Sequence, residues 1–117
     1  MAKLNPDRAR AVERLADVGG DLLARHDVAM TRMFGSEALS VRGKMFAFAS
    51  NAGDLVVKLS EQRIDELGLD NMVMRGRPMR EWAVVPYDAG EQRWRAVLAE
   101  AHGFVDALAS GGASVDD

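Results

Sequence analysis

From Trp94 to Leu108 the apolar residues fall at intervals of three and four: Trp94, Val97, Leu98, Ala101, Phe104, Val105 and Leu108. That spacing makes one stripe of an α-helix apolar, and such a stripe has to be buried against another element. Glu91 suits the start of this helix. The N-terminal segment carries a looser helical pattern, with Ala9, Val12, Leu15, Ala16, Leu22 and Leu23 near a 3.6 period. Asn5-Pro6 reads as its start, an N-cap acceptor followed by proline at the first helical position. One helix is expected over about residues 6 to 25. Gly19-Gly20 interrupts its pattern, and the pair either allows close packing or breaks the helix in two.

Between these two helical ends the period changes to two. Leu39 and Val41 alternate with Ser40 and Arg42, and Leu55, Val57 and Leu59 alternate with Val56 and Lys58. Met45-Phe46-Ala47-Phe48-Ala49 is apolar on both faces, which suits a strand near the middle of a sheet. Gly43-Lys44 and Ser50-Asn51-Ala52-Gly53-Asp54 are turn-type spacers. Residues 28 to 60 therefore predict a strand, a turn at Gly35 and a three-strand meander. A short helix over 61 to 67 follows, opened by Ser60 and closed by Gly68. Met72-Val73-Met74 and Met79 to Val85 read as two more strands, with Gly76-Arg77-Pro78 as a bend between them. Ser110 to Asp117 has no periodicity and reads as a disordered tail.

The chain of 117 residues is one domain by length, and a domain of this size hides about two-thirds of its extended-chain surface. It has no cysteine, so disulfides, thiolate zinc sites and cysteine nucleophiles are excluded. Fifteen Lys and Arg against 18 Asp and Glu leave a net charge of −3, which argues against a globally basic nucleic-acid binder. Charged Asp7-Arg8-Ala9-Arg10 follows the first residues directly, so no signal peptide is expected. No apolar run approaches the roughly 20 residues of a membrane span. The cytoplasm is the expected compartment.

Few residues have the pattern that chemistry needs. His26 follows the first helix and His102 lies one position off the stripe of the last. No His-x-x-x-His or Glu-x-x-His pairing accompanies either, so neither reads as a metal ligand. Ser36, Ser40, Ser50 and Ser60 lack a nucleophile elbow. Glu61, Asp65 and Glu66 read as a solvated helix surface. Gly43-Lys44 lacks the surroundings of a phosphate loop, and Gly43 reads as a positive-φ residue of a hairpin. No catalytic residue, cofactor or metal is expected.

The sharpest local feature is basic. Arg75-Gly76-Arg77-Pro78-Met79-Arg80 places three guanidiniums within six residues. With Lys44, and with Arg32, Arg42 and Lys58 elsewhere in the sheet, Arg75, Arg77 and Arg80 are candidate contacts for an anion, a nucleic-acid backbone or an acidic partner. In an extended strand Arg75 and Arg77 share a face and Arg80 takes the other, so the three converge only if the chain turns at Gly76 or Pro78. Splayed, each would be merely solvated. Seven methionines are the remaining oddity. Met30, Met33, Met45, Met72, Met74 and Met79 fall on strand-like segments and are expected to fill gaps in the core.

The order of several short motifs resembles the N-terminal domain of the TfoX (Sxy) family. They are Met33-Phe34-Gly35, Gly43-Lys44-Met45-Phe46-Ala47, Asp54-Leu55-Val56-Val57-Lys58-Leu59 with Arg63, Gly76-Arg77-Pro78-Met79 with Glu81-Trp82, Val85-Pro86, and Trp94 with Ala101. Ser36 stands where many members have a second glycine, and Ala38-Leu39-Ser40 replaces an often aromatic Gly-Leu-Tyr. The resemblance covers residues 28 to 108 and implies a fold and a regulatory role. TfoX proteins regulate competence genes together with the cyclic-AMP receptor protein, and the larger ones carry a further helical domain. The motif residues read as structural.

Together these readings give a single α+β domain over residues 1 to 109, with a bent antiparallel sheet of five or six strands under N-terminal and C-terminal helices. The expected function is a non-enzymatic regulatory or protein-interaction module. The alternatives are a nucleic-acid or anion binder using Arg75 to Arg80, and a small-molecule-binding protein. Protein partners are expected, a transcription factor among them, with no membrane and a monomeric or homodimeric state.

Overall fold

The computed structural model describes residues 6–25, 27–33, 36–50 and 52–109. The expected N-terminal helix is two pieces, α1 over Pro6–Val18 and α2 over Gly20–Leu23. The break sits at Gly19, which is also a point of close approach. A Cβ there would stand 2.8 Å from the Leu15 carbonyl oxygen and 3.1 Å from Leu39 Cδ1. Both readings of the glycine pair are thus realised at one residue.

Six strands follow the period-two pattern: β1 Val28–Met33, β2 Ser36–Val41, β3 Lys44–Ala49, β4 Leu55–Lys58, β5 Asp70–Met74 and β6 Arg77–Val85. They form one antiparallel sheet in the order β1-β2-β3-β4-β6-β5, so β1 and β5 are its edges. Helix α3, Glu61–Leu67, leads from β4 to β5, with the Ser60 hydroxyl accepting from Arg63 N–H at 3.1 Å. A turn of 3-10 helix at Tyr87–Ala89 leads into α4, Glu91–Ala109. No described helix is long and apolar enough to cross a membrane.

Two hairpins close with two-residue loops. Val41 pairs with Lys44 around Arg42-Gly43, at φ 51° and 82°, and Met74 pairs with Arg77 around Arg75-Gly76, at φ 54° and 78°. Positive φ at both central residues is the requirement of a type I′ turn, whose twist matches that of its strands. The expected bend at Gly76-Arg77-Pro78 is corrected accordingly. The chain turns at Arg75-Gly76, and Arg77 and Pro78 already belong to β6.

The helices pack on one face of the sheet. Leu39, Ala47, Val57 and Ala83 lie side by side across β2, β3, β4 and β6 and are fully buried beneath them. Trp94 is fully buried at the start of the α4 stripe, and its Nε1–H donates to the Pro86 carbonyl at 3.0 Å. An irregularity between β2 and β3 leaves Phe46 without a direct partner, and its buried ring meets His102 of α4 edge-on at 5.5 Å. On the opposite face Phe48, Val56 and Val84 form a cross-strand row, and the Phe48 and Trp82 ring centroids lie 5.7 Å apart.

The methionines do not all fill the core. Met30 packs against it, but Met72 and Met79 are only half-buried and Met74 is 45% exposed. They stand beyond the last row that the helices cover, where β5 and β6 run on as a two-stranded ribbon. The turn expected at Phe34-Gly35, the histidine at His26 and the tail from Ser110 lie outside the described residues.

Candidate functional site

The β5–β6 ribbon carries the residues singled out for their charge. Direct pairing puts Met72 opposite Met79 and Met74 opposite Arg77 on one face, with Val73 opposite Pro78 on the other. Arg75 sits in the turn itself. Between Asn71 and Met72 the ladder slips, because Asn71 pairs with Ala83 while Met72 pairs with Met79. The Asn71 side-chain amide spans the slip, donating to the Met79 and Arg80 carbonyls at 3.1 Å each. That support carries the ribbon past the body of the sheet.

Arg75, Arg77 and Arg80 are all exposed, and none forms an ion pair or side-chain hydrogen bond among the described residues. Arg75 and Arg77 flank the turn glycine, while Arg80 stands back toward α3 at the slip. Beside the arginines Val73 is 62% exposed. Lys44 does not join them, since β4 lies between its strand and β6. Lys58 is taken up by Glu81 at 3.4 Å, with its ammonium 5.3 Å from the centre of the Trp82 ring.

Other residues of the quoted motifs tie elements together. Arg63 of α3 holds Glu100 of α4 through two hydrogen bonds, of 2.7 and 3.0 Å. The Asp54 carboxylate accepts from Tyr87 N–H at 3.0 Å, joining the β3–β4 turn to the segment after β6. Trp94, Phe46 and Gly43 have the core and turn positions already described. These contacts join one element of the fold to another. Arg10 and Arg14 of α1 stack over the Tyr87 ring at 4.1 and 3.6 Å, and Arg14 also donates to the Tyr87 carbonyl at 2.7 Å. The groove beside them mixes these cations with Glu13, Asp17 and Glu91 and favours neither sign of ligand.

A second polar cluster was missed by motif reasoning. Asp27, His102 and Asp106 each bring one ligand-type atom to within 4.8 Å of the others. Asp27 is placed by the β1–β2 ladder, where Arg42 N–H donates to its carbonyl at 2.9 Å. His102 and Asp106 are four apart on α4 and so share a face. Arg42 Nε donates to Asp106 at 2.7 Å, and its Nη2 lies 3.8 Å from Asp27. That bond holds the Asp106 carboxyl below its ordinary range and raises the Arg42 guanidinium. His102 is 7% exposed, so the apolar stripe of α4 is wider than its periodicity indicated. The four-residue step from His102 to Asp106 was the one signal in the sequence, and nothing pointed to Asp27.

No protein-family model matches this chain, and no curated protein matches it in sequence. The likeness to the TfoX N-terminal domain rests on the motifs quoted above.

Proposed function

We propose that this chain is a non-enzymatic regulatory or protein-interaction module that docks on an acidic protein surface through its β5–β6 ribbon. One observation carries the reading: Val73 and Met74 are exposed on the edge strand β5, next to a turn whose glycine is flanked by Arg75 and Arg77, with Arg80 further back on β6, and none of the three arginines is ion-paired among the described residues. An edge strand offers unpaired backbone groups to an incoming strand, exposed Met and Val offer adaptable apolar contact, and guanidiniums recognise carboxylates by forked hydrogen bonds. A transcription factor in the cytoplasm is the kind of partner that the TfoX resemblance supports.

The same three guanidiniums favour one second reading, contact with a nucleic-acid backbone. The net charge of −3 supplies no long-range attraction to a polyanion, and the exposed apolar residues have no use there. A photo-crosslinking residue at position 73, introduced in the native cell, tests the first reading. It is expected to capture an acidic protein, and capture should fail when Arg75, Arg77 and Arg80 are all changed to alanine. Titration with labelled duplex DNA tests the second. Micromolar binding that weakens steeply with salt and disappears in the triple variant would replace the protein-partner reading.

A further inference from the structure

We propose that Asp27, His102 and Asp106 form a binding site for a divalent transition-metal ion, one that Arg42 closes when the metal is absent. The three side chains come from two distant parts of the chain and converge at one end of α4. Their donor set, one imidazole nitrogen and two carboxylate oxygens, suits zinc, cobalt or nickel better than magnesium or calcium, which take oxygen ligands.

Two independent observations point to a missing ligand. His102 is buried to 7% exposure, yet its Nε2 has no hydrogen-bond partner among the described residues. Asp27 Oδ1 is likewise buried without a hydrogen bond among the described residues, ion-paired only loosely to Arg25 Nε at 3.6 Å. Unsatisfied polar atoms of this kind are uncommon in folded proteins, and two in one cluster call for a common partner. A cation that accepts lone pairs satisfies both at once.

The geometry is close to what such an ion needs. Donors about 2.0–2.2 Å from zinc in a tetrahedron stand roughly 3.3–3.5 Å from one another, so atoms now within 4.8 Å must draw in by up to about 1.4 Å. The Asp27 and Asp106 carboxylates can make that adjustment once Arg42 and Arg25 release them, while the Phe46 ring packs edge-on against the imidazole. Three protein ligands leave a fourth position for water.

Arg42 now stands where a cation belongs. It is paired to Asp106 and lies near Asp27, but its side chain is 49% exposed and sits on a turn, as does Arg25 at 53% beside Asp27. Both can withdraw into solvent when a doubly charged ion competes for the carboxylates. Metal affinity is therefore set by displacement of arginine, and it should rise when that competitor is removed.

The test uses untagged full-length protein at pH 7.5, titrated with cobalt(II) chloride by absorbance and with zinc chloride by calorimetry. One equivalent of each should bind, with the visible bands of low-coordinate cobalt. His102→Gln and Asp106→Asn should each weaken binding by about a hundredfold, since each removes a ligand. Arg42→Asn should tighten it, and Asn-Gly keeps the type I′ turn. Absence of binding up to millimolar metal overturns the proposal. So does binding that Asp106→Asn leaves unchanged, and that partly exposed position tests the site even where His102→Gln does not fold. Binding that Arg42→Asn weakens overturns it as well.

Discussion

Arg63 and Glu100 are 37 positions apart in sequence and meet fork to fork, with Nε on Oε1 at 2.7 Å and Nη2 on Oε2 at 3.0 Å. The pair pins α3 against α4, and Arg63 also holds Glu66 of its own helix at 3.2 Å. Both partners are more than a third exposed, so solvent screens the attraction. Its worth lies in orienting two helices more than in gross stability.

The Arg63 guanidinium holds the Glu100 carboxyl below its ordinary value of 4.5, and Arg42 does the same for Asp106 below 3.8. A carboxylate lowered in the folded state contributes stability that is fully present above its unfolded value. That contribution is lost as pH falls through the lower folded value. Urea unfolding between pH 6 and 3 should show stability declining below about pH 4.5, and Glu100→Gln should flatten that decline. Added salt should shrink the coupling between Arg63 and Glu100 in a double-mutant cycle, as expected for a screened pair.

Trp94→Ala should cost about 3–5 kcal/mol, the range for deleting a fully buried large aromatic. Trp94→Phe keeps much of the apolar volume but removes the donor to Pro86, and should cost about 1–3 kcal/mol. Thermal or urea melts of the two variants measure both. Equal costs would mean that the indole hydrogen bond, not the stripe, governs the position.

Gly19→Ala should destabilise by about 1–3 kcal/mol, because the new Cβ meets backbone at 2.8 Å and the Leu39 side chain at 3.1 Å. Gly43→Ala has open space around it and should cost only the positive-φ strain, about 1 kcal/mol. Comparing their urea midpoints separates crowding from backbone strain.

Changing Arg75, Arg77 and Arg80 together to alanine should leave the melting temperature within about 2 °C of wild type, since none has an ionic partner among the described residues. Arg75→Asn should melt at or above the wild-type temperature, because Asn-Gly is the preferred type I′ pair. A large loss in the triple variant would mark the ribbon as a structural element and remove the basis for a docking role.

The sequence by itself determined the elements whose signal is local. The α4 stripe, the period-two strands, the Ser60 and Gly68 ends of α3 and the positive φ at Gly43 all follow from side-chain spacing and backbone preference over a few residues. It placed the second turn one residue late, because proline at 78 competes with glycine at 76 as the turn signal. The true loop is decided by which two residues face each other across the hairpin. The methionines were misread for a related reason. Alternation shows which residues share a face of a strand, but only the tertiary structure decides whether a helix covers that face. Met72, Met74 and Met79 extend beyond the helices. The Asp27–His102–Asp106 cluster was the least legible. Its members lie 75 and 4 positions apart, and only the packing of α4 on the β1–β2 end of the sheet brings the outlying aspartate to the imidazole.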